Sequence, residues 1–391
     1  MAYLYTTVNR FANDDAVATR VFTFCKILNE LGKEVLVISL DEIEARKIHV
    51  YKGINFITLR SSSNGIAARI SNIIFHRIRL KKTLENLSQS LEIEGLFFYD
   101  IPPPSIYFLK KYAKQKNIKI FHDSVEWYSP QQFKWGKFAL PYVFKNLLNK
   151  YFIDRQISVF AVSNYLNKYF QSRGIHSIHM PIMVDKEEIK FEKSILTKKL
   201  KLIYAGAPGK KDYLKVIVEG LAKLQKEELE SVELHILGIN ENQLVETCGI
   251  RENTISKCGQ SLIAVGRVSR SEVLKFLQTA NFTVLLRSSE LRYAKAGFPS
   301  KVVESLATGT PIICNLTSDL GDYLINGENS IIVNSCSSDD FASSLRKALC
   351  LSFEKKKELC YKARETAVKH FDYRNYLEQF NSFLCAKYPE F

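Results

Sequence analysis

The sequence predicts an α/β fold built of two doubly wound, parallel-sheet domains. Three observations carry this. The chain has 391 residues, which at ordinary domain size is two domains. Strand-like apolar runs alternate with helical patterns along its whole length. Many of those runs are apolar throughout, as strands buried on both faces are.

In chain order, the first-half strands are Tyr3–Val8, Glu34–Ser39, Asn55–Leu59, Gly95–Tyr99, Lys119–His122 and Ser158–Val162. The second set is Lys201–Tyr204, Glu233–Leu237, Leu262–Val265, Phe282–Leu286, Pro311–Asn315 and Ser330–Val333. Helical periodicity fills the gaps, as in Ala16–Leu31, Tyr213–Gln225 and Ser271–Gln278. The stretch from Ile182 to Lys199 is rich in Lys and Glu and lacks apolar periodicity, so it reads as the boundary. The expected domains are residues 1–190 and 191–374. A last segment, 375–391, is a helix whose aromatic spacing packs it back on the first domain. Two such domains face each other across a cleft, and ligands bind at the carboxyl ends of the strands lining it.

The net charge is +14. Residues 1–195 hold 28 Lys/Arg against 18 Asp/Glu, a net of +10; the remainder holds 27 against 23, a net of +4. An acidic partner for the first half follows: an anionic membrane surface, a nucleic acid or a phosphorylated acceptor. The basic stretches contain no nucleic-acid module, which makes that option the weakest. Eight cysteines lack C-x-x-C spacing and metal-ligand partners, so they read as reduced thiols with no metal site. No signal-peptide pattern precedes Tyr3 and no apolar run reaches 18 residues, which predicts a cytoplasmic protein that does not span a membrane.

Lys295–Pro311 carries the chemistry. Gly297 permits a tight turn and Pro299 suits a first helical residue. A short helix runs over Ser300–Thr308, Gly309 caps it and a strand follows at once. A helix N-terminus opening at a strand end is an anion site, because its unsatisfied N–H groups point outward. Ser300 stands there, Lys301 adds positive charge, and Glu304 lies one turn in, placed to accept from two ribose hydroxyls. The plain alternative is a generic capped helix of an α/β unit.

This stretch resembles the donor-binding signature of two-domain (GT-B fold) glycosyltransferases, specifically family four of the retaining enzymes. That family has Glu, seven residues, Glu, then a small-residue helix end and Gly-x-Pro. Glu304 matches the second Glu, the ribose ligand. Ala296 stands where the first is usual, although some members read Gly-Phe-Pro here, as Gly297-Phe298-Pro299 does. Gly206-Ala-Pro-Gly-Lys-Lys211 resembles the loop that grips the donor diphosphate. Lys211 matches its Lys, Lys210 assists, and Ala207 replaces its Arg. Gly266-Arg267-Val268 resembles the segment lining the nucleotide base. Val162-Ser163, the Pro181 to Asp185 linker and the Gly327–Val333 turn extend the resemblance over most of the chain. Arg287 and Arg292 stand at the cleft edge, either standing in for the missing donor contacts on the phosphates or as solvated surface arginines.

What the resemblance implies is two Rossmann-like domains and sugar transfer with retention, without a metal or cofactor. The donor is a nucleoside-diphosphate sugar, and the acceptor is a glycan or lipid-diphosphate-linked molecule of cell-surface polysaccharide or glycoconjugate synthesis. It also implies that His122, at a strand end, faces the donor sugar. Asp123 and Glu126 follow as acceptor ligands, or as the base of an inverting reaction, against a helix-cap reading of Asp123. Asp14 and Asp15 open a helix, as caps or acceptor contacts. Arg69–Lys82 and Phe133–Phe152 interleave basic and apolar residues. Each is either a helix with its apolar face in the core or a surface for the inner face of an anionic membrane. Two other functions fit: a non-catalytic nucleotide-sugar binding subunit, favoured by Ala296 and Ala207, and a GT-B sugar-nucleotide epimerase.

Overall fold

A computed structural model describes residues 2–13, 15–45, 47–59, 66–192, 199–207 and 209–386. They form two compact units. The first comprises Met1–Tyr128, Lys137–Met183 and Tyr373–Phe391; the second comprises Ser129–Gly136 and Val184–Asp372.

The first unit holds β1 (Ala2–Thr7), β2 (Glu34–Ser39), β3 (His49–Tyr51), β4 (Ile54–Thr58), β5 (Ile93–Tyr99), β6 (Lys119–Ser124), β7 (Ser158–Ala161) and β8 (Ser177–His179). Their order in the sheet is β3-β4-β2-β1-β5-β6-β7-β8. All neighbours are parallel except β3 and β4. That hairpin turns through Lys52 (φ 48) and Gly53 (φ 80). Register sets the faces. Tyr5, Phe97 and Phe121 lie side by side on one face, where Tyr5 stacks on Phe97 at 5.7 Å and Phe97 on Phe121 at 4.8 Å. Phe24, from helix Ala16–Glu30, and Phe380, from helix Leu377–Cys385, meet edge to face at 5.3 Å and complete this aromatic core. The last helix is thus part of the first unit's core.

Thr6, Phe98, His122 and Val159 share the opposite face. The connections β4→β5, β5→β6 and β6→β7 all step the same way across the sheet. Right-handed crossovers therefore place their helices on that one face: Ile66–Ile74, His76–Leu87, Pro103–Lys116 and Leu140–Leu147.

The second unit holds β9 (Leu200–Ala205), β10 (Val232–Leu237), β11 (Leu262–Gly266), β12 (Phe282–Leu285), β13 (Ile312–Cys314) and β14 (Ser330–Ile332). The order is β11-β10-β9-β12-β13-β14, parallel throughout. The sequence is right in predicting two parallel-sheet α/β domains. All twelve expected strands form. β3 and β8, three residues each, give too short a pattern to be read.

Candidate nucleotide-binding site

The site is built at the carboxyl edge of the second sheet. β9 ends at Ala205 and turns through Gly206 (φ 120), while Gly238 (φ 113) follows β10. Gly206 N–H donates to the Leu237 carbonyl at 2.8 Å, and Gly238 N–H to the Gly266 carbonyl at 2.7 Å. A Cβ on Gly238 would lie 2.8 Å from the carbonyl carbon of Gly206, so two backbones pass here at a distance only glycine allows. A Cβ on Gly206 would lie 3.1 Å from the Lys301 ammonium. The result is a low shelf of backbone with a cation beside it.

That cation belongs to a closed network. Lys301 Nζ donates to Asp212 Oδ2 at 2.6 Å and lies 4.4 Å from the Tyr204 ring centroid. Arg287 Nε donates to Asp212 Oδ1 at 2.7 Å, and Tyr204 O–H to Oδ2 at 2.7 Å. Backbone pairing brings Asp212 and Arg287 together: they form an isolated antiparallel bridge, and Tyr213 N–H reaches the Leu286 carbonyl at 2.8 Å. Burial alone would raise the Asp212 carboxyl. Lys301 and then Arg287 outweigh it and hold the group down at about 2. Burial pushes the Lys301 ammonium down from its ordinary value, and Asp212 opposes that shift. Two cations against one carboxylate leave an excess of positive charge beside the shelf.

Lys301 and Glu304 belong to the helix Ser300–Ala307. Pro299 is the residue before its first turn, one position earlier than expected, and Gly309 (φ 71) follows its end. Arg270 Nε donates to Glu304 Oε1 at 3.0 Å. Oε2 has no hydrogen bond among the described residues. Arg270 opens the helix Arg270–Thr279 behind a capping box of Ser269 and Glu272. Lys301 and Glu304 line one small cavity with Ala205 and Val273.

The remaining expected donor residues sort by position. Lys210 is exposed and Lys211 half-buried, its carbonyl accepting from Tyr293 O–H at 2.6 Å. Arg267 is exposed, whereas Val268 packs against the apolar cluster of Ile203, Leu237, Leu277 and Ala280. Gly297 has φ −96 and ψ 151, ordinary extended backbone, so its position does not need glycine's left-handed freedom. Phe298 is buried against Tyr323 and Phe371, both at 5.8 Å, and anchors the turn from inside. Ala296 is wholly buried. Asp212, Tyr204 and Arg270 escaped the sequence reading. A lone Asp after Lys210-Lys211 and the Ser269-x-x-Glu272 box were the available signals.

At the carboxyl edge of the first sheet the picture differs. Asp123 is in β6, not at a helix start. Arg20 grips it through Nε at 2.9 Å and Nη2 at 2.7 Å, Tyr5 O–H donates at 2.9 Å, and the pair is 4% and 1% exposed. His122 is fully buried and stacked on Phe98 at 4.7 Å, with Nδ1 3.4 Å from the Phe98 carbonyl and no hydrogen-bond partner at Nε2 among the described residues. Burial, then the charge of Lys145, push its pKa to about 3, so it is neutral at physiological pH. Glu126 accepts from Tyr128 O–H at 2.6 Å. Asp15 caps its helix by accepting from Ala18 N–H at 2.8 Å. Asp14 lies outside the described residues.

Comparison with known proteins agrees with this fold. Residues 185–366 match the family model described as Glycosyl transferases group 1. Sucrose-phosphate synthase from Thermosynechococcus elongatus superposes with a TM-score of 0.71 at 12% identity, covering 98% of both chains. Anabaena HepE, solved in complex with UDP and glucose, gives 0.70 at 12% identity over 99% of this chain and 100% of that one. The E. coli trehalose-6-phosphate protein, solved with UDP-2-fluoro glucose, gives 0.70 at 13% identity over all of both chains. No curated protein matches the sequence.

Proposed function

We propose that this chain, whose second unit is a group 1 glycosyltransferase domain on a GT-B fold, moves a hexose-type sugar from a nucleoside diphosphate to a glycan or lipid-diphosphate-linked acceptor at the cytoplasmic face of a membrane. One observation carries the reading: the Lys301–Asp212–Arg287 network stands beside a glycine shelf, with Glu304 one turn further along the same helix. A diphosphate needs charge neutralisation and close backbone approach, and this edge supplies both. Arg287 and Lys301, with Lys211 and the N–H groups at Ser300, meet its oxygens. Glu304 takes the ribose hydroxyls. The same cations stabilise the diphosphate as it leaves with the electron pair of the bond to the anomeric carbon. Arg287 fills the role left open by Ala207. Retention without a metal ion follows the family resemblance. His122, neutral, is the first unit's residue for the donor sugar, as the resemblance implies, and Glu126 serves the acceptor.

UDP-sugars head the donor panel, because UDP and UDP-2-fluoro glucose are the ligands in the two complexes above. A second reading has one observation in its favour. Ala296, where the family carries a sugar-contacting Glu, is wholly buried, which suits a binding subunit without turnover. Purified protein with nucleotide sugars and lipid or glycan acceptors separates the two. Transfer supports the enzyme; binding without transfer or hydrolysis supports the subunit; no binding of any nucleotide sugar rejects both.

A further inference from the structure

Two helical segments on one face of the first sheet bury polar groups and leave large apolar side chains exposed. In the run through Ile66–Ile74 and His76–Leu87, Asn72 and His76 are buried. Arg79 donates to Asn72 Oδ1 at 2.5 Å and to Ser71 Oγ at 3.1 Å, and His76 Nδ1 lies 2.8 Å from Ser105 Oγ. Leu80 and Leu84 of this run pack into the core, but Ile70, Ile74 and Ile78 are 53%, 65% and 64% exposed. The segment around Leu140–Leu147 repeats the arrangement. Lys145 is buried on Asp100 at 3.2 Å and Asn149 is buried beyond it, while Phe138, Phe144 and Tyr151 are 85%, 48% and 71% exposed. A helix in water turns its apolar stripe to the core. Here polar groups share the protein side with Leu80, Leu84 and Leu148, while isoleucine and phenylalanine face out, twice in one helix layer. Packing links the two segments, because both rest on helix Pro103–Lys116 between them.

The charge around these side chains selects the occupant. Residues 66–87 carry five Lys/Arg and one Glu, and residues 137–152 carry three Lys and no acid. Arg77, Lys82, Lys137 and Lys150 are exposed. A protein interface is depleted in lysine and walls off its apolar centre with mixed polar groups. Basic residues with aromatic and aliphatic side chains at one surface are what the headgroup region of an anionic bilayer binds. No helix among the described residues is long and apolar enough to cross a membrane, so the contact is parallel to the surface.

We infer that this helix layer of the first unit lies on an anionic lipid bilayer, with Ile70, Ile74, Ile78, Phe138, Phe144 and Tyr151 set among the headgroups. The inference rests on the proposed function only for the consequence that the acceptor is held in that bilayer. Sedimentation of the full chain with phosphatidylcholine vesicles, with and without phosphatidylglycerol, tests it, alongside donor binding in solution. Capture by the phosphatidylglycerol vesicles is expected, falling with added salt. It drops about tenfold or more in Ile74→Ser/Ile78→Ser and in Phe138→Ser/Phe144→Ser, each pair removing well over 1.4 kcal/mol of apolar burial. Both variants keep the wild-type melting temperature and donor affinity, because the replaced side chains leave the core untouched. Equal capture of variants and wild type overturns the inference. So does absence of capture with a wild-type dimer that the variants dissociate, which would make the face a contact between copies. Vesicle capture without any nucleotide-sugar binding keeps the surface and rejects the glycosyltransferase reading instead.

Discussion

The carboxyl edges of the two sheets handle charge in opposite ways. In the first unit Arg20 and Asp123 neutralise each other out of reach of water, with Tyr5 closing the pair. In the second, Asp212 is just as buried, but the two cations it holds remain 14% and 22% exposed and outnumber it. The first arrangement fixes backbone: Arg20 also donates to the carbonyls of Pro181 at 2.9 Å and Met180 at 3.2 Å. The second keeps positive charge rigid and accessible, which is what an anionic ligand needs before it arrives. A buried ion pair is therefore no guide to a binding site; an unbalanced one at a glycine shelf is.

Breaking the first arrangement has the largest effect. Arg20→Ala leaves a buried carboxylate unpaired and is expected to destabilise the protein by roughly 3–5 kcal/mol in denaturant unfolding. Donor affinity of the folded fraction stays at the wild-type value; a loss of donor affinity in Arg20→Ala would erase the contrast between the two edges. Lys301→Ala acts on the second edge. Loss of charge-assisted contacts is expected to weaken diphosphate binding by roughly 1.5–3 kcal/mol, read by calorimetry. Lys301→Arg does not restore it, because the fork cannot take the ammonium's place over Tyr204. Gly238→Ala forces a Cβ against the Gly206 carbonyl from φ 113. It is expected to cost roughly 1–3 kcal/mol of stability and to weaken donor binding as well.

Effects of pH separate the groups further. The folded pKa of His122 is depressed to about 3 from 6.5, so the unfolded chain binds the proton first. The associated stability is complete above about 6.5 and is lost as pH falls toward 3. Asp212 is depressed from 3.8 to about 2, so its contribution is present above 3.8 and is lost only as pH falls toward 2. Unfolding curves between pH 7 and 4 should thus weaken through His122, and this part of the slope should vanish in His122→Gln. The Asp212 network should leave that range flat.

Much of this was legible in the sequence, for local reasons. Strand runs such as Gly95–Tyr99 and the Glu304 helix with its Gly309 end are written in consecutive residues. So is the position of Lys301 one turn before Glu304. What escaped depends on residues far apart. Asp212 meets Arg287 and Lys301 across 75 and 89 positions, and Arg270 meets Glu304 across 34. Asp123 looked like a cap or a base because nothing in its neighbourhood announces Arg20, 103 positions earlier. The helix around Ile74 shows apolar periodicity, yet periodicity alone does not say which way that face turns.

The most direct test of the central claim is calorimetric titration of UDP and UDP-sugars into the wild type and Glu304→Ala. If the edge of the second sheet is the donor site, the wild type binds and Glu304→Ala loses about tenfold or more in affinity, the worth of hydrogen bonds to a charged group. Equal affinity in the two proteins would place the nucleotide elsewhere and contradict the account.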